Sequence, residues 1–255
     1  MLSLAAGVLP EFDPPAVIEA AATAGWEAVG IWYDHDTWTN ARTREVRQRL
    51  DDTGVTPLDM EPIFVTPDGD WGAPLIAAAA EIGASNILTV GFGVEVEPFA
   101  ERFAELCDLA APAGITVNVE FGRIFAVKSL AQAQEVLARA DRVNAGILLD
   151  NIHVDRAGNT AAEVAAIDPM QISYAQVCDA PSAPRDSSRS GLRTDAVDDR
   201  CNLGEGGLRW QEFIDALPSG TPMSLEVRSA ALRAGFSDPS ERAAEVLRAT
   251  NLALG

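Results

Sequence analysis

Glu120, Asp150, Gln176 and Glu226 each close a short apolar run: ITVNVE, AGILLD, ISYAQ and MSLE. Each stands where a buried strand should stop and a loop begin. Together they offer oxygen donors and up to three negative charges. If the strands close into one barrel, the four side chains converge at one end of it. Carboxylates forced together repel, and a bound divalent cation is the simplest remedy. A hard-oxygen set with no His or Cys favours Mg²⁺ or Mn²⁺, with Co²⁺ and Zn²⁺ behind them. The plainer alternative is that each residue serves separately, as a helix N-cap or a solvated loop residue.

Other residue types near these positions could do chemistry. His153 lies three residues after Asp150 and could hydrogen-bond a substrate hydroxyl or shuttle a proton; the alternative is an exposed loop histidine. His35, in IWYDHDTW, is the only other histidine, so no His-rich zinc site is available. Glu61, before a proline in LDMEPIF, could meet substrate hydroxyls or pair with an arginine. Arg200 lies in a long polar stretch and could hold an oxyanion or carboxylate bidentately. Trp32, Trp38, Phe64, Trp71 and Phe92 could form an apolar wall, although aromatics are more often core. Cys107, Cys178 and Cys201 share no metal-type spacing and read as reduced thiols. Cys178 is a remote candidate nucleophile, because no histidine lies close in sequence.

The elements that must position these residues alternate from end to end. Short apolar runs bounded by Gly, Pro, Asp or Asn predict strands over Leu2–Leu9, Ala28–Trp32, Thr56–Glu61, Asn86–Val90, Thr116–Phe121, Gly146–Asn151, Ile172–Val177 and Met223–Val227. Amphipathic stretches predict helices between them, over Pro14–Ala24, Thr43–Asp52, Trp71–Ile82, Glu97–Ala111, Ser129–Ala140, Thr160–Ala166, Trp210–Leu217 and Pro239–Asn251. Asp13 caps the first and Gly25 ends it. Strict alternation implies parallel strands with right-handed crossovers. Eight units in 255 residues fit a single (β/α)8 barrel domain spanning 1–255. A doubly wound sheet would show a Gly-rich phosphate turn after its first strand, and AGVLPEFD has none. Asp179–Leu208 reads as one long irregular loop, of the kind that is usually functional or mobile.

A net charge of -19 and a pI near 4.3 argue against nucleic acid or an anionic membrane as partner. No run of about 18 apolar residues occurs, and the start lacks a basic segment of a secretory signal. The expected setting is the cytoplasm, and the expected partner a small-molecule substrate.

The segments VNVEFGRIFAVKSLAQAQEVL, GILLDNIHVDRAGNT, ISYAQVCDAP, DDRCNLGEGGLRWQEFIDAL and MSLEV resemble, in order, the xylose isomerase-like TIM barrels of the sugar phosphate isomerase/epimerase superfamily. The resemblance covers roughly the whole chain. It implies one divalent metal held by Glu120, Asp150, Gln176 and Glu226. Many members carry His at the third position; Gln is used in relatives resembling hydroxypyruvate isomerase and some 3-dehydroshikimate dehydratases. DNIH is similar to the family's Asp-x-x-His, in which His contacts substrate, so His153 is a substrate-binding expectation. Arg200, ahead of LGEGG, is similar to a substrate-binding arginine. Many members are dimers or tetramers, so a homo-oligomer is also expected.

The chemistry so implied is proton abstraction next to a carbonyl through a metal-stabilised enediolate, with Glu120 and Glu226 as base and acid. The first expectation is an isomerase or epimerase of a small keto-sugar or hydroxy-ketone. The second is a lyase, a dehydratase of the 3-dehydroshikimate type, in which Arg200 would pair with a substrate carboxylate. A nuclease resembling endonuclease IV would need a His-rich zinc site and a basic groove, which two histidines and the acidic balance oppose. A non-catalytic binding barrel leaves the oxygen cluster unexplained.

Overall fold

Successive side chains on a strand point to opposite faces, so a strand buried on both sides sends alternate residues to two different cores. A computed structural model describes residues 1–255 and places eight such strands side by side. They are β1 (Leu2–Leu4), β2 (Ala28–Trp32), β3 (Thr56–Val65), β4 (Asn86–Gly91), β5 (Thr116–Glu120), β6 (Ala145–Asp150), β7 (Ala175–Val177) and β8 (Met223–Leu225). Every neighbouring pair is parallel, and β8 pairs back to β1, which closes the (β/α)8 barrel. Val117, Val119, Ile147, Leu149, Ala175, Val177, Leu225 and Val227 join the large core between sheet and helices. The alternate residues face the barrel axis, where Ala28, Leu58, Leu88, Val90, Leu148 and Tyr174 form a separate small core.

The helices are α1 (Pro14–Ala24), α2 (Asn40–Thr53), α3 (Gly72–Ile82), α4 (Val96–Ala110), α5 (Leu130–Ala140), α6 (Asn151–Arg156), α7 (Ala161–Ala165), α8 (Arg189–Val197), α9 (Trp210–Ala216), α10 (Ala230–Gly235) and α11 (Pro239–Leu254). α1 has the expected ends: the Asp13 side chain accepts from the Ala16 amide, and Gly25 takes a left-handed conformation. No helix is long and apolar enough to cross a membrane.

Several boundaries differ from the sequence expectation. β1 ends at Leu4 rather than Leu9, because Ala6–Val8 turns into a 3-10 segment. β7 begins at Ala175 rather than Ile172, after a 3-10 turn at Pro169–Gln171. β3 runs past Glu61 to Val65; a register shift against β4 between Met60 and Ile63 accommodates Pro62, which has no amide hydrogen to give the ladder. The Glu61–Pro62 peptide is cis.

The largest difference is at Asp179–Leu208, which is not one irregular loop. It contains α8, capped by Ser188, whose Oγ accepts from the Gly191 amide. Leu192 and Ala196, one helical turn apart, bury against Ile124. Gly191 and the many polar residues hid this short apolar stripe in the sequence. Asp179 pins the segment's other half. Its carboxylate accepts from the amides of Ala180, Gly204, Gly206 and Leu208. Gly206 is required there: a Cβ would lie 2.4 Å from both the Ala180 carbonyl oxygen and Asp179 Oδ1. The sequence LGEGG is therefore a backbone cradle around one buried carboxylate.

Candidate active site

The inward positions at the strand C-termini are Glu120, Asp150, Gln176 and Glu226, since their neighbours Val119, Leu149, Val177 and Val227 face the outer core. All four are at least 94% buried. Asp150 lies level with Gln176, and the Glu226 amide donates to the Val177 carbonyl at 3.0 Å. Donor atoms of Glu120, Asp150 and His153 all lie within 4.8 Å of one another. The structure thus brings the four strand-end residues and His153 to one mouth. Asp150 also serves as N-cap of α6, accepting from the Ile152 amide at 3.1 Å, so the capping and cluster readings hold together for this residue.

His153 is not an exposed loop residue. It sits on α6, 6% exposed, with Nε2 3.8 Å from Glu120 Oε1 and its ring edge-on to Phe125. Burial, helped by the positive charge of Arg200, lowers its pKa to about 3. The imidazole is therefore neutral at pH 7. Gly122 makes room for it: a Cβ there would lie 2.7 Å from His153 Nδ1.

Arg200 is equally buried, and its position differs from the expectation of a free substrate arginine. Nη1 donates to Asp150 Oδ2 at 2.7 Å, Nη2 lies 3.0 Å from Glu226 Oε2, and Nε donates to the Ala196 carbonyl at 2.6 Å. Its guanidinium is consumed in holding two strand-end carboxylates. Burial opposes its charge, but Asp150 and Glu226 outweigh burial and raise its pKa.

Glu61, 3% exposed, has no arginine partner; its carboxylate accepts from Gln176 Nε2 at 3.3 Å. With Nε2 so engaged, the Gln176 Oε1 remains buried without a hydrogen-bond partner. Gln176 thereby keeps an unused, buried oxygen at the strand end. Burial first, and the neighbouring carboxylates second, push Glu61 and Glu120 well above the usual carboxylate range. Glu226 is raised by burial and by Asp150, against the pull of Arg200.

Asp59 was not anticipated, although one acid inside the apolar run TPLDMEPIFV was a legible signal. It is 1% exposed beneath the mouth, and its Oδ1 has no partner. Burial and the charge of Glu226 raise its pKa from 3.8 to about 7. A carboxyl whose folded pKa is raised contributes stability below its unfolded pKa and loses it as pH rises through the folded value. Asp59→Asn is therefore expected to raise the Tm at pH 8 by several degrees, and the advantage should shrink as pH falls to 5. Thermal denaturation at both pH values checks this; an equal gain at each would mean that Asp59 is not held as a buried acid.

The mouth opens into a cavity of about 630 Å³, lined among others by Trp32, Phe64, Phe92, Phe125 and the arginines of α8. Trp32, Phe64 and Phe92 thus belong to the expected wall, and Phe125 joins them. Trp38 and Trp71 do not. Trp38 packs on Tyr33 and donates to Thr43, while Trp71 stacks on His35 at 4.8 Å outside the cavity. Cys178 is fully buried behind Asn151 and Arg200, and burial drives its thiol pKa up, so no nucleophile is available there. α8 is held over the mouth by Asp195, only 1% exposed, which pairs with Arg156 of α6 at 2.7 Å.

The buried carboxylates Asp59, Glu61, Glu120, Asp150 and Glu226 outnumber the nearby cations Arg200 and Arg228. Uncompensated buried charge is costly, and protonation or a bound cation must relieve it. The donor set, with the orphaned Gln176 oxygen, fits a hard divalent ion.

A family model described as a xylose isomerase-like TIM barrel matches residues 18–251. A 3-dehydroshikimate dehydratase of Pseudomonas aeruginosa is 28% identical over 250 residues, covering 89% of this chain and 37% of that protein. The chain thus spans little more than a third of that relative's length. Among solved structures, the IOLI protein with a bound zinc atom superposes with a TM-score of 0.78 at 15% identity, covering 99% of this chain and 96% of the other. A D-allulose 3-epimerase from Methylomonas sp., solved with D-allulose, gives 0.73 at 15% identity, covering 97% and 94%. At these identities the structural likenesses speak for the fold alone.

Proposed function

Because the chain belongs to the xylose isomerase-like TIM barrel family, we propose that it is a divalent-metal-dependent enzyme that abstracts a proton next to the carbonyl of a small oxo compound. The observation that carries this reading is the excess of buried carboxylates around an unpartnered Gln176 oxygen. Glu120, Asp150, Gln176 and Glu226 would hold the ion, with Mn²⁺ or Mg²⁺ the best match to the donors. When bound, the ion supplies electrophilic stabilisation of negative charge developing on a substrate oxygen.

The chain's own residues supply the rest. Glu120 and Glu226 act as the acid/base pair; burial raises both toward the range in which a carboxylate is an effective base. Arg200 fixes the Glu226 and Asp150 carboxylates in place. His153, neutral and beside Glu120, can donate a hydrogen bond to a substrate oxygen without adding charge. Phe64, Phe92, Phe125 and Trp32 limit water in the cavity.

Return of the proton to the neighbouring carbon or to the opposite face gives isomerisation or epimerisation, and loss of a β-hydroxyl gives dehydration. The likeness to a 3-dehydroshikimate dehydratase favours dehydration; isomerisation or epimerisation of a keto-sugar is the alternative. The test is elemental analysis of the purified protein together with a turnover screen of 3-dehydroshikimate, hydroxypyruvate and keto-hexoses. One Mn, Mg, Co or Zn per chain with carbon-acid turnover is expected. No metal uptake after Mn²⁺ is supplied would sink the reading.

A further inference from the structure

The acidic balance of this chain makes a free arginine unusual. Most of its arginines sit in ion pairs. Arg44, Arg123, Arg189, Arg193 and Arg228 have no carboxylate partner, and three of these five, Arg189, Arg193 and Arg228, line the cavity over the strand-end cluster. Arg189 donates to the Ile124 carbonyl at 3.1 Å. Arg193, on the exposed face of α8, makes no hydrogen bond within the protein.

Arg228 is the most telling of the three. It follows β8 two residues after Glu226 and is half-buried. Its Nε is enclosed and has no hydrogen-bond partner. Its guanidinium lies 6.0 Å from the Trp32 ring centre, and its aliphatic stem passes Gly7. A Cβ at Gly7 would lie 2.8 Å from Arg228 Cδ and 2.9 Å from Glu226 Oε1, so the glycine leaves room for both side chains. Half-buried and near the carboxylates of Glu61, Glu120 and Glu226, but hydrogen-bonded to none of them, this guanidinium is free to take an anion from the cavity. Its planar fork matches a carboxylate bidentately. Arg200 cannot supply that partner, because Asp150, Glu226 and the Ala196 carbonyl already occupy it.

We propose that the substrate is an oxo-acid whose carboxylate is bound by Arg228, with Arg193 closing on it from α8. A neutral sugar would leave both guanidinium groups unmatched. This assignment rests on the proposed function above and deepens it, since it names the substrate class of the same cavity.

The test uses binding, not turnover. Metal-supplemented protein is titrated calorimetrically with 3,4-dihydroxybenzoate, which joins a metal-chelating diol to a carboxylate, and with catechol, the same diol without it. The carboxylate form is expected to bind at least tenfold more tightly, since its charge-assisted hydrogen bonds to the guanidinium groups have no counterpart in catechol. Arg228→Gln should remove most of that preference, Arg193→Gln part of it, and Arg228→Lys should retain some. Arg44→Gln, far from the cavity, should change nothing. The surface variant Arg193→Gln keeps the test decisive if Arg228→Gln does not fold. The same comparison on metal-free protein, with benzoate against benzamide, reads the arginines even if no metal is taken up. Equal affinity for charged and neutral partners in both forms, or a preference that survives in both glutamine variants, would overturn the assignment.

Discussion

Glu226→Gln is expected to abolish turnover, by about a thousandfold or more, while the circular dichroism spectrum and the unfolding transition remain those of a folded barrel. Two losses combine. The amide cannot take up a proton, and general acid–base catalysis contributes roughly 10²–10⁴-fold. It also cannot supply an anionic ligand, and it leaves Arg200 with one carboxylate partner instead of two. The fold should survive, because Glu226 lies at the strand end, and its neighbours Leu225 and Val227, which pack in the outer core, are unchanged. Steady-state kinetics on the substrate found in the turnover screen checks this. Activity retained within about tenfold would show that Glu226 is not part of the acid/base pair.

Chelation has the second large effect. Dialysis against EDTA is expected to inactivate the protein, and Mn²⁺ or Mg²⁺ to restore it. The same ions should raise the Tm of the stripped protein. Saturation at a hundred times the dissociation constant stabilises by about 2.7 kcal/mol. For a chain of this size that corresponds to roughly 5–10 °C. The physical origin is the repulsion among Glu61, Glu120, Asp150 and Glu226, which Arg200 and Arg228 oppose in part. The thermal shift needs no substrate, so it separates a missing ion from a wrong substrate. Full activity in a metal-free sample would remove the ion from the mechanism.

The parallel strands follow from periodicity that any reader of the chain can see. Short apolar runs ending in Glu120, Asp150, Gln176 and Glu226 alternate with capped helices such as Pro14–Ala24, and eight such units without a Gly-rich phosphate turn after the first strand favour a closed sheet over an open one. Strand ends were less legible where a 3-10 turn interrupts an apolar run, as at Ala6–Val8, or where Pro62 is absorbed by a register shift. α8 was hidden because its buried stripe is two residues wide, and its hold on the mouth comes from Asp195 meeting Arg156, 39 positions away in the chain.

The sequence by itself determined the fold class and the residue types at the mouth, because side-chain alternation and strand termination are local properties. Only the tertiary structure decided which charges face one another. Parallel strands slide past their neighbours in register, so the level of Glu120 relative to Asp150, and of Gln176 relative to Glu61, is set by barrel closure and not by spacing along the chain. Closure also assigned the arginines. Arg200, which looked free for substrate, is engaged by Asp150 and Glu226, while Arg228, unremarkable in MSLEVRSA, faces the cavity without an ion pair, as do Arg189 and Arg193 of α8. Pairing of charges depends on distances of a few ångströms between residues far apart in sequence, and only the packed barrel establishes those distances.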